Sequence, residues 1–560
     1  MKTFSQRLQQ LYESDSQAPA IHLLHARQPD ETITRTGLLR GAAGYAQALA
    51  AAGVQPGEVA ILILQHGPAL VYAFWGAILH GAIPSIMPFL TEKLQPEQYR
   101  RSLAALFEIT TPGAVITDAE FAGELPPTNG GKVLLSAEID PTGPIDFGAL
   151  RGFERQPQDI VLLQHSSGTT GLQKGVALSH QAVFNQLESY ATALHLAEDD
   201  VVVSWLPLYH DMGLIAGFLM PVLEGIPLVL MSPFDWVRAP ARLLQAVSQY
   251  RGTLSWLPNF AYNFCAQKIR DRDLQGVDLS SWRAISNCSE PMRYASHQMF
   301  AERFASYGLR PGALATCYAM AENVFAVTQG GIDSPATVDA ISQRGLFDER
   351  MARTPQGDEP AIPMLSCGTP IAGTLVKIVD DQRRELPERH LGEIALRSNC
   401  MLTEYYRRPD ATEQAFHEGW YLTGDLGYIA AGEVYVTGRK KDLIIVGGKN
   451  VYPQDLETLA NQVPGIHPGR VVAFGIFNEE MGTEEVALIA EMEATDLSET
   501  AYIEEAQRIE DELRLQVTRG SAVALRHVKV VARGWLLKTS SGKIARGANR
   551  EKYLKHFGGD

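Results

Sequence analysis

Gln164-His165-Ser166-Ser167-Gly168-Thr169-Thr170-Gly171-Leu172-Gln173-Lys174-Gly175 is the stretch around which the 560-residue chain is organised. It follows the apolar run 160–163 and precedes a helix predicted to open near Ser179, so it reads as a loop leaving a strand. Its three glycines allow tight turns and close backbone approach to a ligand, while four hydroxyls and a lysine supply donors suited to phosphate oxygens. The reading is a polyphosphate cradle, although the spacing is neither that of G-x-x-x-x-G-K-[ST] nor that of G-x-G-x-x-G. A solvated Ser/Gly/Thr surface loop has the same composition. Segments far downstream decide between the two.

The chain is long enough for two or more domains and a large core. Its apolar, charged and aromatic fractions (45%, 20% and 8%) are those of a soluble globular protein. Lys+Arg 49 against Asp+Glu 64 gives a net charge of −15, which argues against nucleic acid or an anionic membrane as the main partner of the surface. Any anionic ligand must therefore be held locally. The cysteines, Cys265, Cys288, Cys317, Cys367 and Cys400, are widely spaced without C-x-x-C or a zinc-type His cluster, and read as reduced buried thiols. The N-terminus has no apolar signal core, and the most apolar segment, 214–231, is interrupted by Glu224-Gly225 and prolines. A buried core element, no integral membrane association and a cytoplasmic location are expected.

Along the chain, helical and extended patterns alternate. The spacing predicts a helix over 38–52 stopping at Gly53, a buried strand over 59–64, and a helix over 68–79 stopping at Gly81. Similar pairs recur at 114–117, at 160–164 followed by 179–194, and at 226–230 followed by 239–250, the order of a layered α/β domain. Residues 331–363 read as a long loop. Strands over 375–379 and 392–396 then suggest a β-rich subdomain. From Gly438 the composition shifts, and the remainder reads as a small α+β domain. In it, Ile503, Ala506, Ile509, Leu513 and Val517 share a helix face between strands over 471–477 and 528–531.

Four further segments bear on the glycine-rich loop. They are Tyr318-Ala319-Met320-Ala321-Glu322, Tyr421-Leu422-Thr423-Gly424-Asp425, Gly438-Arg439-Lys440-Lys441-Asp442 and Leu537-Lys538-Thr539-Ser540-Ser541-Gly542-Lys543. Singly, each reads as a turn or a solvated charge; their joint order is the signal. Together they resemble the adenylate-forming superfamily, which includes acyl-CoA synthetases, fatty acyl-AMP ligases, peptide-synthetase adenylation domains and luciferases. Trp205-Leu206-Pro207-Leu208-Tyr209-His210-Asp211-Met212-Gly213-Leu214, Pro258-Asn259-Phe260-Ala261-Tyr262, Asn287-Cys288-Ser289-Glu290-Pro291-Met292-Arg293 and Tyr452-Pro453-Gln454-Asp455-Leu456-Glu457 are most similar to fatty acyl-AMP ligases.

The resemblance implies a large N-terminal adenylation domain (1–440) and a small mobile C-terminal lid (441–560) pivoting at Lys441. It implies ATP and Mg²⁺, a medium- or long-chain fatty acid, and transfer of the acyl group to an acyl carrier protein. Lys543, Glu322 and Thr169 would be catalytic, with Glu322 also carrying the metal. Ser166, Ser167, Gly168, Thr169, Thr170, Gly171 and Lys174 would hold phosphates, and Cys288, Ser289 and Glu290 would line the adenine site. Tyr318 would stack on the base beside Ala319 and Met320, and Asp425 and Arg439 would hold the ribose. His210, Asn259 and Phe260 would line the acyl or pantetheine channel, although His210 also reads as a satisfied buried polar residue and 258–264 as an ordinary core segment. Gln173 and Leu537 stand where the family usually has proline, and Cys288 and Ala319 where it usually has glycine, the latter two implying a tighter base pocket. Gly447-Gly448 is similar to coenzyme A-using relatives, so an acyl-CoA ligase is the alternative; a catalytically silent adenylate-binding module is another. The densest basic run for an acceptor is Arg439, Lys440, Lys441 and Lys449, which also reads as a solvated hinge.

Overall fold

The protein is described by a computed structural model covering residues 2–90, 96–165, 174–446, 449–478, 483–521, 523–539 and 542–557. The strand Val59–Ile63 shows how the core is divided. Ala60 and Leu62 pack into the main core with Phe74, Trp75 and Phe218, whereas Val59, Ile61 and Ile63 face a second core built on Leu103 and Phe107. A strand buried on both faces must be apolar throughout, which is why this run shows no polar alternation. It belongs to a seven-stranded sheet, mostly parallel, in which it lies between Ile83–Ile86 and Ala114–Thr117. A second sheet of nine strands runs from Thr369–Pro370 at one edge to Glu31–Thr34 at the other, with a parallel centre. Helices Arg35–Ala51 and Pro68–His80 supply apolar faces to the main core; the second ends at Gly81, whose φ of +87° suits a residue without Cβ.

The structure corrects one expectation and adds detail to two others. The helix expected near Ser179 is His180–Ala193, capped by Ser179, and Gly175–Ser179 before it is a strand antiparallel to Ile160–His165. Residues 331–363 are not one loop, because Val338–Ser342 pairs with Ala361–Leu365 and the helix Gln343–Phe347 lies between them. The 214–231 run is buried, but as the π-helix Met212–Leu219, the helix Met220–Glu224 and the strand Leu228–Met231. Among the described residues no helix is long and apolar enough to cross a membrane.

The β-rich part is an antiparallel sheet in which Gly392–Ser398 and Glu433–Arg439 flank Trp420–Ala430. Beyond it, Ile466–Asn478, Thr483–Met492 and Leu525–Val531 form a three-stranded sheet, covered on one face by the helix Glu499–Ser521 through Ile509, Leu513 and Val517. Ile503, assigned to that face by its spacing, is 61% exposed: it lies in the helix's first turns, beyond the sheet contact. All five cysteines are buried free thiols. The chain is thus mixed α/β, with a large sheet-containing N-terminal part and a small C-terminal unit.

Candidate functional site

Register builds the first part of the site. In the pairing of Trp420–Ala430 with Glu433–Arg439, Asp425 stands opposite Arg439, and their side chains meet at 3.3 Å between Oδ1 and Nε. The Tyr318 hydroxyl, from the end of the strand Leu314–Ala319, donates to Asp425 Oδ2 at 2.7 Å. Three residues drawn from 122 positions of sequence therefore form one cluster. Burial pushes the Asp425 carboxyl up, opposed by Arg439 and by the Tyr318 hydrogen bond.

Glu322 follows Tyr318 on a short turn that ends at Val324, whose φ of +62° is unusual for a β-branched residue. Gln164 holds this turn by donating to the Val324 carbonyl at 3.1 Å, so the strand entering the glycine-rich segment is tied directly to the Glu322 turn. Tyr405 donates to Glu322 Oε1 at 2.8 Å and meets the Tyr421 hydroxyl at 3.0 Å. Lys174 places its ammonium 4.5 Å from the centre of the Tyr405 ring. Burial raises the Glu322 pKa, disfavouring its negative charge, and the Tyr405 hydrogen bond opposes that shift. His165, at the start of the segment, is neutral, its pKa pushed down to about 4 by burial, with Nε2 2.6 Å from Ser85 Oγ. Ser166, Ser167, Gly168, Thr169, Thr170 and Gly171 lie outside the described residues.

Cys288, Ser289 and Glu290 end the strand Ala284–Asn287. Cys288 is wholly buried, and Ser289 has a φ of +69° that turns the chain toward Glu290. Glu290 accepts from the Phe260 N–H at 3.0 Å. Asn259 is fully committed: Oδ1 accepts from Asn287 and from the Arg293 N–H, both at 3.0 Å, and its amide donates to Ser296. Its side chain thus braces the Cys288 segment. Phe260, 41% exposed, packs beside Trp205 and Trp236, whose rings stack at 3.6 Å. His210 pairs with Asp211 at 2.6 Å. Although burial disfavours the Asp211 charge, His210 and Lys543 hold that carboxyl below the usual range.

Lys543 arrives from the C-terminal unit on a tight turn. Gly542 has a φ of +86°, Thr539 N–H donates to the Lys543 carbonyl at 2.7 Å, and Asn549 clamps Leu537 through both its amide and its oxygen. Burial lowers the Lys543 pKa, opposed by the charges of Glu290 and Asp211. The unit is held there by Arg293, whose guanidinium meets Asp455 at 3.2 Å. Two residues along the same helix, Glu457 accepts from Arg546, which also faces Asp442 at 3.7 Å. Lys441, preceding Asp442, sits in the 3₁₀ turn Lys440–Asp442. Sequence reasoning named Tyr318, Glu322, Asp425, Arg439 and Lys543, quoted Asp211 and Asp455 within motifs without giving them a role, and missed Tyr405 and Arg546. Tyr405 reads as core, and the Arg293–Asp455 pair was visible only as two unconnected motifs.

The arrangement presents a buried lysine under the influence of two carboxylates, a carboxylate–arginine–tyrosine cluster and the buried carboxylate of Glu322, the equipment to hold a nucleotide and redistribute phosphate charge. Residues 10–406 match the family described as AMP-binding enzyme. A Mycobacterium tuberculosis protein provisionally named fatty-acid–CoA ligase FadD25 is 30% identical over 94% of this chain and 92% of its own. The medium-chain-fatty-acid–[acyl-carrier-protein] ligase JamA of Moorena producens is 33% identical over 71% of this chain and 68% of its own. A solved structure from work on fatty acyl-adenylate ligases of E. coli and L. pneumophila superposes with a TM-score of 0.87 at 26% identity, spanning 100% of this chain and 98% of that one. The chain belongs to the AMP-binding enzyme family, the adenylate-forming ligases.

Proposed function

We propose that this enzyme activates a medium- or long-chain fatty acid with ATP and passes the acyl group to the phosphopantetheine thiol of an acyl carrier protein. In the first half-reaction a carboxylate oxygen bonds to the α-phosphorus of ATP while the bond to the bridging oxygen breaks, giving acyl-AMP and pyrophosphate. In the second the thiol sulfur bonds to the acyl carbon, AMP departs and the thiol proton is released. The observation that carries this reading is the cluster of Asp425, Arg439 and Tyr318, together with a buried Lys543 that feels the charges of Glu290 and Asp211. Glu290, at the strand end that would hold adenine, accepts from the N–H of Phe260, whose ring would wall the channel for an alkyl tail. Tyr318 would face the base, and Asp425 with Arg439 would take the ribose hydroxyls. The names of JamA and of the fatty acyl-adenylate ligases support the acid and the carrier.

Glu322 suits Mg²⁺: it is a hard oxygen donor whose charge burial leaves poorly compensated, and a single carboxylate with substrate phosphates is how this ion is commonly bound. The ion would supply charge neutralisation at the phosphates. Glu322→Gln is expected to raise the Mg²⁺ concentration for half-maximal pyrophosphate release about tenfold. A titration giving the wild-type curve would remove Glu322 from the metal.

The second reading, coenzyme A as acceptor, is favoured by Gly447-Gly448 and by the name of FadD25. Its test is a competition: acid, ATP and Mg²⁺ with holo carrier protein and coenzyme A at equal concentration, followed by mass spectrometry. Faster loading of the carrier is expected. Acyl-CoA without carrier loading would establish the second reading, and failure to release pyrophosphate with any fatty acid would establish a silent module.

A further inference from the structure

Two members of the basic run beside the hinge are committed to internal pairs. Arg439 pairs with Asp425, and Lys440 meets Asp381 and Glu393, each at 3.1 Å. The chain's positive charge is concentrated elsewhere. Between Arg514 and Lys555 stand eleven lysines and arginines and a single acid, Glu551, in a protein of net charge −15. This segment includes the edge strand Leu525–Val531 and the helix Arg546–Phe557.

Part of this charge gathers around two aromatic rings. Lys552 donates to the Trp535 carbonyl at 2.6 Å and lies 4.1 Å from that ring's centre. Trp535 and Phe557 have centroids 6.0 Å apart, and Lys529 lies over Phe557 at 5.9 Å. Lys529, Arg533 and Lys555 are exposed and have no carboxylate within 4 Å among the described residues. The same scaffold carries the catalytic turn: Leu536, next to Trp535, donates to the buried Glu491, and Leu537 is clamped by Asn549 of the helix.

We propose that the face formed by Lys529, Arg533, Trp535, Lys552, Lys555 and Phe557 is the docking surface for an acidic carrier protein that presents the phosphopantetheine thiol; this rests on the carrier reading above. Charge complementarity selects the partner. Solvated lysines on a rim accelerate encounter with an oppositely charged surface at little desolvation cost. The charges are spread over a strand, a loop and a helix of twelve residues, about 18 Å long, which matches a helix of a partner protein better than the single nucleotide of coenzyme A. A long polyanion or an anionic membrane is disfavoured by the chain's net charge of −15.

The test is the double variant Lys529→Glu/Lys555→Glu, compared with wild type in the transfer step from acyl-AMP to a negatively charged holo acyl carrier protein. The KM for the carrier is expected to rise about tenfold at low salt with kcat nearly unchanged, and its salt dependence to flatten. Acid-dependent pyrophosphate release and acylation of free pantetheine should match wild type. A wild-type KM for the carrier, an equal loss with free pantetheine, or a variant altered only in binding to vesicles of anionic lipid would overturn the docking surface alone. Wild-type enzyme that forms acyl-AMP but loads no holo carrier would overturn the carrier reading and the docking surface together.

Discussion

Replacing Lys543 with alanine is expected to lower acid-dependent pyrophosphate release by on the order of 100- to 1000-fold, the usual cost of removing one preorganised donor from a site of developing charge. Thioester formation from supplied acyl-AMP should stay within a few-fold of wild type, because that step does not draw on the ammonium. The turn bearing Lys543 is held by Thr539 and Asn549 backbone and amide contacts, none of which involves the lysine side chain, so the variant should fold. The pH profile supplies an independent readout. Burial lowers the folded-state pKa of Lys543 below the ordinary 10.5, so its ammonium form is lost at a lower pH than that of a free lysine. The alkaline limb of adenylate formation should therefore fall below pH 10.5, and in Lys543→Arg it should move upward, since a guanidinium stays protonated. Unchanged pyrophosphate release in Lys543→Ala would remove the lysine from the chemistry.

The strands at Val59–Ile63 and Gly392–Ser398 were legible because runs of strand length bounded by turn residues have few other outcomes. Gly175–Ser179 was not, because Gly175-Val176-Ala177-Leu178-Ser179 is short, lacks aromatics and runs straight into a capped helix. Only its pairing with Ile160–His165 and with Glu404–Tyr405 makes it a strand. The strands within 331–363 were hidden by prolines and charges, which edge positions tolerate. Ile503 shows the opposite failure: spacing places a residue on a helix face but does not say where the neighbouring sheet ends. At the site, the sequence supplied the titratable groups and left out what orients them. Tyr405 lies 83 positions from Glu322 and Asp455 lies 162 from Arg293, separations no local pattern encodes.

Asp425→Ala is expected to raise the KM for ATP by about 30- to 900-fold, the range of roughly 2–4 kcal/mol that follows from truncating one partner of a desolvated charge-assisted contact. The effect has two sources that can be separated. The first is direct loss of the carboxylate that would accept the ribose hydroxyls. The second is local: without Asp425 the Tyr318 hydroxyl, 8% exposed as a residue, loses its acceptor, and Arg439 loses its cross-strand partner. An unsatisfied buried hydroxyl costs about 1–3 kcal/mol, which would appear as a lower Tm. Asp425→Ala/Tyr318→Phe removes the stranded hydroxyl, so it should recover most of the stability while leaving the KM for ATP as high as in the single variant. Asp425→Asn, which keeps an acceptor oxygen but no charge, should fall between alanine and wild type. Recovery of the KM along with the Tm in the double variant would show that Asp425 acts only by holding Tyr318 in place, and the assignment of its carboxylate to the ribose would be wrong.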